Sequence, residues 1–336
     1  MPANLTPQYL AAEQRYKEAM TVKEKVLALE EMMAVMPKHK GTEKLQADLR
    51  RRLAKLRHEA EKKHGVSKAS SMYSVEREGA GQVVIIGAAN AGKSSLLARL
   101  TNAAPAIGDY PFTTRLPQPG MMPYENIKIQ LVDMPPMDPD FYEPWMGGLV
   151  RQADLAILVT DLSREEILDE TENGLEVLSH SKIQLSGHPE PGARADAAAY
   201  RPSLMAANKC DAPGASEHLE ILTEFFGHRF GIVPVSALSG QGLETLRRKI
   251  FENLGVIRIY TKIPGKKVDL SSPPFVLKQG STVLDAARAV HREFVHSLKF
   301  AKVWSLEGSK RAVKYEGQRV ERAHQLEDGD ILEFHI

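Results

Sequence analysis

Apolar positions along the chain follow three successive patterns. Up to about His64 the spacing is helical. Val26, Leu27, Met33 and Met36 follow the capping-box string Thr21-x-x-Glu24, and Leu45, Leu49, Leu53 and Leu56 recur at four, four and three behind Thr42 as an N-cap. Pro37 to Gly41 breaks the two stretches, so the pattern predicts a helical hairpin. From Gln82 short apolar runs alternate with helical segments. Val83 to Ile86, Ile127 to Val132, Leu155 to Thr160, Leu204 to Ala207 and Ile232 to Val235 read as strands. Ser94 to Leu100, Glu165 to Leu178, His218 to Phe226 and Leu243 to Leu254 read as the helices that cover them. The architecture this predicts is α/β: a doubly wound, mostly parallel sheet. Ser186 to Arg201, rich in Gly, Pro and Ala, reads as a mobile surface loop.

After Gly255 the pattern changes again. Ile257 to Ile263 reads as a strand, Ser281 as the cap of a helix running to about Val295, and Ala301 to Leu306 and Asp330 to Ile336 as strands of a small α+β module. The resulting division is 1–66 for the helical region, 80–255 for the α/β domain and 256–336 for the last module, with Lys68 to Ser71 in the first linker.

Composition sharpens this picture. A chain of 336 residues, 43% hydrophobic and 26% charged, suits two or three globular domains and not a disordered or fibrous protein. Its single cysteine, Cys210, excludes an internal disulfide and fits a reducing compartment; no Cys/His spacing suggests a zinc site, so no structural metal is expected. Met1-Pro2-Ala3-Asn4 opens no signal peptide, and no apolar run approaches the roughly 18 residues of a membrane span. A cytoplasmic protein without a membrane partner is expected. Net charge is +1, but Lys38 to Lys68 carries eleven Lys/Arg against four Asp/Glu, and Val256 to Ile336 fourteen against ten. The basic helical region is either a packing element with a solvated face or a surface that contacts RNA.

Four strings carry candidate chemistry. Gly87-Ala88-Ala89-Asn90-Ala91-Gly92-Lys93-Ser94 matches G-x-x-x-x-G-K-[ST], follows an apolar strand and opens a helix. Small residues let backbone N–H groups wrap phosphates, Lys93 reaches the β- and γ-phosphate oxygens, and Ser94 is placed to ligate Mg2+. Gln130-Leu131-Val132-Asp133 ends a strand with an acid suited to the magnesium shell. Between them Thr113 and Thr114 lie in a segment that can close on magnesium and the γ-phosphate, with Thr114 the better candidate. Asn208-Lys209-Cys210-Asp211 has the order N-K-x-D after a strand: Asp211 can accept from guanine N1–H and its 2-amino group, which adenine cannot match. Ser236-Ala237-Leu238 would bring a backbone N–H near guanine O6. GTP and GDP are therefore the expected ligands.

These strings resemble the Obg superfamily, and within it the developmentally regulated GTP-binding proteins. The P-loop continues through Ser95 as Lys-Ser-Ser-Leu-Leu, Tyr110-Pro-Phe-Thr-Thr114 is similar to that branch's second motif, and Lys40-Gly-Thr-Glu43 with Leu53-Ala-Lys-Leu-Arg57 is similar to its N-terminal helical region. Val256-Ile-Arg-Ile-Tyr-Thr-Lys262 and Leu326-Glu-Asp-Gly-Asp330 are similar to its TGS domain, a β-grasp module. The resemblance implies slow GTP hydrolysis, association with ribosome or RNA, and room for a regulatory partner protein. It also implies that Asn90 helps to hold K+ beside the phosphates, although a turn-stabilising Asn explains the same residue.

Two departures stand out. Where the family has D-x-P-G, this chain has Asp133-Met134-Pro135-Pro136, and proline has no N–H to offer the γ-phosphate. The glycine-rich stretch that follows is replaced by Met137 to Trp145. The wider class lacks a glutamine after the third motif, and that place is Met137 here, which leaves no obvious side chain to orient the attacking water. A slow GTPase switch is the leading expectation and a poorly hydrolysing guanine-nucleotide sensor the alternative. An ATPase of the Obg-like type is disfavoured by the intact N-K-x-D.

Overall fold

The computed structural model describes residues 7–18, 22–36, 49, 51–53, 73–101, 116–187, 199–306 and 316–335. They divide into two compact units, Met1–Ser74 and Val75–Ile336.

In the first unit, helices α1 (Pro7–Glu18) and α2 (Val22–Ala34) pack against each other. Tyr9, Ala12, Leu29, Met32 and Met36 form its core with Leu49 and Leu53. Arg15 and Glu31 join the helices by an ion pair of 2.7 Å, too exposed to add much stability. The stretch up to residue 36 thus holds two helices, the second beginning at Val22, one residue after Thr21 of the capping-box string. The expected break at Pro37 to Gly41, the cap at Thr42 and the cap residue Thr21 lie outside the described residues.

In the second unit the chain runs β1 (Gln82–Gly87), α3 (Lys93–Leu100), β2 (Gln118–Tyr124), β3 (Ile127–Asp133), α4 (Pro144–Gln152), β4 (Leu155–Asp161), α5 (Ile167–His180), β5 (Ile183–Ser186), β6 (Ala199–Asn208), α6 (Ala215–Phe226), β7 (Gly231–Pro234) and α7 (Leu243–Asn253). Strand order is β2-β3-β1-β4-β6, with β5 on the first part of β6 and β7 on its last part. All pairings are parallel except β2 with β3. Strand β1 is an unbroken apolar run because both its faces are covered. Val83 and Ile85 pack with Leu96, Leu100, Leu246 and Ile250 of α3 and α7, whereas Val84 and Ile86 pack with Met146, Leu178 and Leu222 of α4, α5 and α6. Each such buried side chain contributes about 1.5–3 kcal/mol.

Beyond α7 come β8 (Val256–Thr261), β9 (Phe275–Lys278), α8 (Val283–Val290), α9 (Phe294–Ser297), β10 (Phe300–Ser305), β11 (Gln318–Val320) and β12 (Asp330–His335). The sheet order β11-β10-β12-β8-β9, with β8 and β12 parallel at its centre and α8 packed on one face, is a β-grasp. Thr282, not Ser281, caps α8: its hydroxyl accepts from Asp285 N, and Asp285 accepts from Thr282 N at 2.9 Å. The helix ends at Val290, short of the expected Val295, because His291 is extended.

This module grips the tip of the β2–β3 hairpin. Arg258, only 10% exposed, pairs with Asp328 at 2.7 Å and with Glu125, and lies 4.8 Å over the Phe251 ring. Asn126 bonds the Tyr260 hydroxyl, and Tyr124 stacks on Phe251 at 4.8 Å.

The sequence pattern missed β2, β5, β9, β11 and α4. Strand β2 carries Pro119 and Pro123, tolerated because it is the sheet's edge. Residues 199–201, assigned to a surface loop, start β6; residues 188–198 lie outside the described residues.

Candidate functional site

Strand β1 delivers the chain to the phosphate loop. Gly87 (φ +145°) lies so near β4 that a Cβ would come within 2.3 Å of the Val159 carbonyl oxygen. At Gly92 (φ +91°) a Cβ would come within 2.2 Å of Asn208 Nδ2. Both positions require glycine. Asn90 turns the loop in the left-handed conformation (φ +59°), which asparagine tolerates better than most residues, and its side chain is exposed. Helix α3 then starts at Lys93, which sets the positive end of its dipole at the loop.

Lys93 is buried, and its ammonium donates to the carbonyl oxygens of Gly87 (3.1 Å) and Ala88 (2.7 Å). Burial lowers its pKa to about 8, opposed by the nearby Asp133 carboxylate. Ser94 Oγ donates to Asp133 Oδ2 at 2.5 Å. A hydroxyl and a carboxylate oxygen side by side at the mouth of the loop are the hard-oxygen donors that Mg2+ takes, with phosphate oxygens completing the shell. Thr113 and Thr114, the other expected contributors, lie outside the described residues.

The second half of the site is formed where β6 ends. Asn208, itself buried, donates through Nδ2 to the Ala91 carbonyl (2.9 Å) and accepts at Oδ1 from Ala237 N–H (3.0 Å). One side chain thus joins the phosphate loop to the Ser236-Ala237-Leu238 loop. Of the backbone N–H groups in that loop, which the sequence directs at guanine O6 without singling one out, Ala237's is engaged by Asn208. Buried Ser236 accepts from Ser239 N–H at 3.0 Å, closing a turn that leaves Leu238 86% exposed. Lys209 is left-handed (φ +61°), and Asp211 is exposed at the rim. Lys209 Nζ is held by Asp161 at 2.5 Å. Asp161 escaped the sequence reading, although Leu158-Val159-Thr160-Asp161 ends an apolar strand with an acid just as Gln130 to Asp133 does.

The expected departure at the third motif takes a definite form. Residues 131–137 are all buried. Met134 N–H donates to Ile85 O (3.0 Å) and Met137 N–H to Gly87 O (3.1 Å), so the segment continues β3 along β1 up to the phosphate loop. The Met134 and Met137 side chains lie in the core with Val84, Ile86 and Met146. Trp145, the last residue of the stretch that stands in for the family's glycine-rich one, belongs to α4, which begins with Pro144 in its first turn.

The profile of the 50S ribosome-binding GTPase family matches residues 82–186, and the TGS domain profile matches residues 257–336. Among curated relatives, an uncharacterized GTP-binding protein of Methanocaldococcus jannaschii is 31% identical, with 94% of this chain and 93% of that protein covered. The chain belongs to the developmentally regulated GTP-binding protein family. Other members are similar over their whole length: the Developmentally-regulated G-protein 3 of Arabidopsis thaliana at 27% identity (93% of this chain, 98% of that protein) and the Ribosome-interacting GTPase 1 of Saccharomyces cerevisiae at 26% (93% and 98%). For this developmentally regulated GTP-binding protein the α/β domain is a P-loop GTPase domain of the Obg superfamily and the β-grasp its TGS domain. No helix among the described residues is long and apolar enough to cross a membrane.

Proposed function

We propose that the chain is a cytoplasmic molecular switch that binds GTP with Mg2+, hydrolyses it slowly to GDP and phosphate, and acts on the ribosome or another RNA surface. The observation that carries the guanine reading is Asn208, which joins the phosphate loop to the Ala237 turn and so brings N-K-x-D, the P-loop and the Ser-Ala turn together. In this reading the loop from Gly87 to Ser95 cradles the phosphates, Lys93 leaves the carbonyls of Gly87 and Ala88 for phosphate oxygens, and Asp211 accepts from the guanine edge. Ser94, Asp133 and Thr114 hold magnesium, which supplies positive charge to the β- and γ-phosphate oxygens when bound. In the same reading Asn90, which turns the loop in the left-handed conformation with its side chain exposed, would be the K+ ligand. The ribosomal part rests on the relatives' names and on the basic ends of the chain.

The test is single-turnover GTP hydrolysis in NaCl and in KCl, with and without ribosomes, against Lys93→Ala. The isolated protein is expected to turn over at about 10⁻⁴ to 10⁻² per second, rising at least about tenfold with K+ or ribosomes. An unassisted rate above about one per second would contradict a slow switch. A second reading, a guanine-nucleotide sensor that scarcely hydrolyses, is favoured by the sealed segment at Pro136 and Met137. It predicts binding without any condition raising the rate above the Lys93→Ala control.

A further inference from the structure

The loop assigned to the base is held by a carboxylate outside all four sequence motifs. Asp161 ends β4 directly opposite Asn208 in the β4–β6 register, and its side chain is fully buried. Its two oxygens do different work. Oδ1 accepts from Ser163 N–H (2.9 Å) and Ser163 Oγ (2.6 Å), closing the turn after the strand. Oδ2 accepts from Lys209 Nζ (2.5 Å), with Arg164 Nε farther off at 3.4 Å. A buried carboxylate gains most from a charged donor at short range, so Lys209 is its principal counter-charge.

Lys209 has reason to be held. Its left-handed backbone is one that residues with a Cβ rarely adopt, and neighbouring bonds enclose it: Leu162 N–H to Asn208 O (2.9 Å), Cys210 N–H to Val235 O (3.0 Å) and Ala212 N–H to Lys209 O (2.9 Å). With the backbone fixed by these bonds and the ammonium by Asp161, the four-carbon stem has both ends tied. It remains 40% exposed between Asn208 and Asp211. A stem held in this way presents a flat apolar strip to a ring whose edge Asp211 reads.

We propose that Asp161 is a positioning residue for guanine: it fixes Lys209 so that the lysine stem forms one wall of the base pocket. The proposal rests on the guanine reading given above. Because the two oxygens are divided between turn and lysine, Asp161→Asn separates the roles. An amide oxygen at Oδ1 keeps both bonds to Ser163, while the amide nitrogen at Oδ2 opposes the ammonium.

The experiment is calorimetric titration of the full chain with GDP and with GTP, each with Mg2+. Asp161→Asn is expected to weaken both by about tenfold and by the same factor, since the base side does not sense the γ-phosphate. Lys209→Met should lose a similar factor, and the double variant should be no weaker than the worse single one. Ser163→Ala, which disturbs the turn without touching Oδ2, should bind within about twofold of the unaltered chain. Losses that multiply in the double variant, an equal loss in Ser163→Ala, or unaltered binding in Asp161→Asn would each overturn the proposal. If Asp161→Asn does not fold, Asp161→Glu, which keeps the charge, serves in its place: affinity as low as that of Lys209→Met would overturn it. Absence of guanine-nucleotide binding by the unaltered chain would instead remove the guanine reading itself.

Discussion

Strands β3 and β6 end at the same side of one sheet, yet the chain leaves them in opposite ways. After Asn208 it is held by polar groups that reach in from Ala91, Ala237 and Asp161, and the residues between them stay open to solvent. After Asp133 it is held by apolar burial and by backbone bonds to β1 and the phosphate loop, and residues 133–137 are closed off. Polar ties fix a loop while leaving its faces available to a ligand. Apolar packing fixes it by using the faces up. On the reading proposed here, the site is prepared to recognise the base and poorly prepared to sense the third phosphate.

The largest effect expected from breaking this contrast is at Met137. Met137→Ala should cost about 2–5 kcal/mol in denaturant unfolding, as for other buried methionines, and should loosen the segment toward protease. A cost below about 0.5 kcal/mol would mean that the segment is not sealed. On the base side, Asp211→Asn should weaken GTP by about 10- to 150-fold and improve xanthosine triphosphate, whose C2 carbonyl accepts from the new amide. Unchanged GTP affinity would remove Asp211 from the pocket. Next comes Pro136→Gly, which returns an N–H to the position where the family's glycine meets the γ-phosphate. It should raise the preference for GTP over GDP by up to about tenfold, measured by competition.

A smaller effect belongs to Lys93. Its pKa of about 8 in the free protein rises when phosphate takes the ammonium, so binding takes up a proton. GDP affinity, titrated without added metal, should fall about fourfold between about pH 7 and pH 8.5 and be flat below pH 7 as far as this residue is concerned. The free fold has the opposite sign: its unfolded state binds the extra proton above about pH 8, so the cost of burying Lys93 eases as pH rises toward about 10.5. Least affected should be Leu238→Ala, within about 0.5 kcal/mol of the unaltered stability, because that side chain is already in water.

Much of this contrast could be read from the chain. The P-loop string, Asp133, N-K-x-D and the Ser-Ala turn each follow an apolar run, and buried parallel strands announce themselves by such runs. The missing N–H at Pro136 was equally plain. What a string could not show is how the segment solves its loss: Met137 N–H goes to Gly87 O, a tertiary bond between residues fifty positions apart. Asp161 was overlooked because its partner Lys209 lies across the sheet, and register between β4 and β6 is not written locally. Strands β2, β5, β9 and β11 were missed for simpler reasons. The last three have four, four and three residues, and β2 spends two of its seven on proline.

The hairpin grip described for the TGS domain has a mechanical consequence. Strand β3 is a strut about 20 Å long, running from the tip that Arg258 and Tyr260 hold to Asp133 at the phosphate loop. It is hydrogen-bonded along both edges, to β1 and β2, and so resists bending. A load applied to the TGS domain by a large assembly would be carried along this strut and arrive at the carboxylate beside Ser94. Tension at the hairpin tip would then be felt as a displaced oxygen at the far end of the strand.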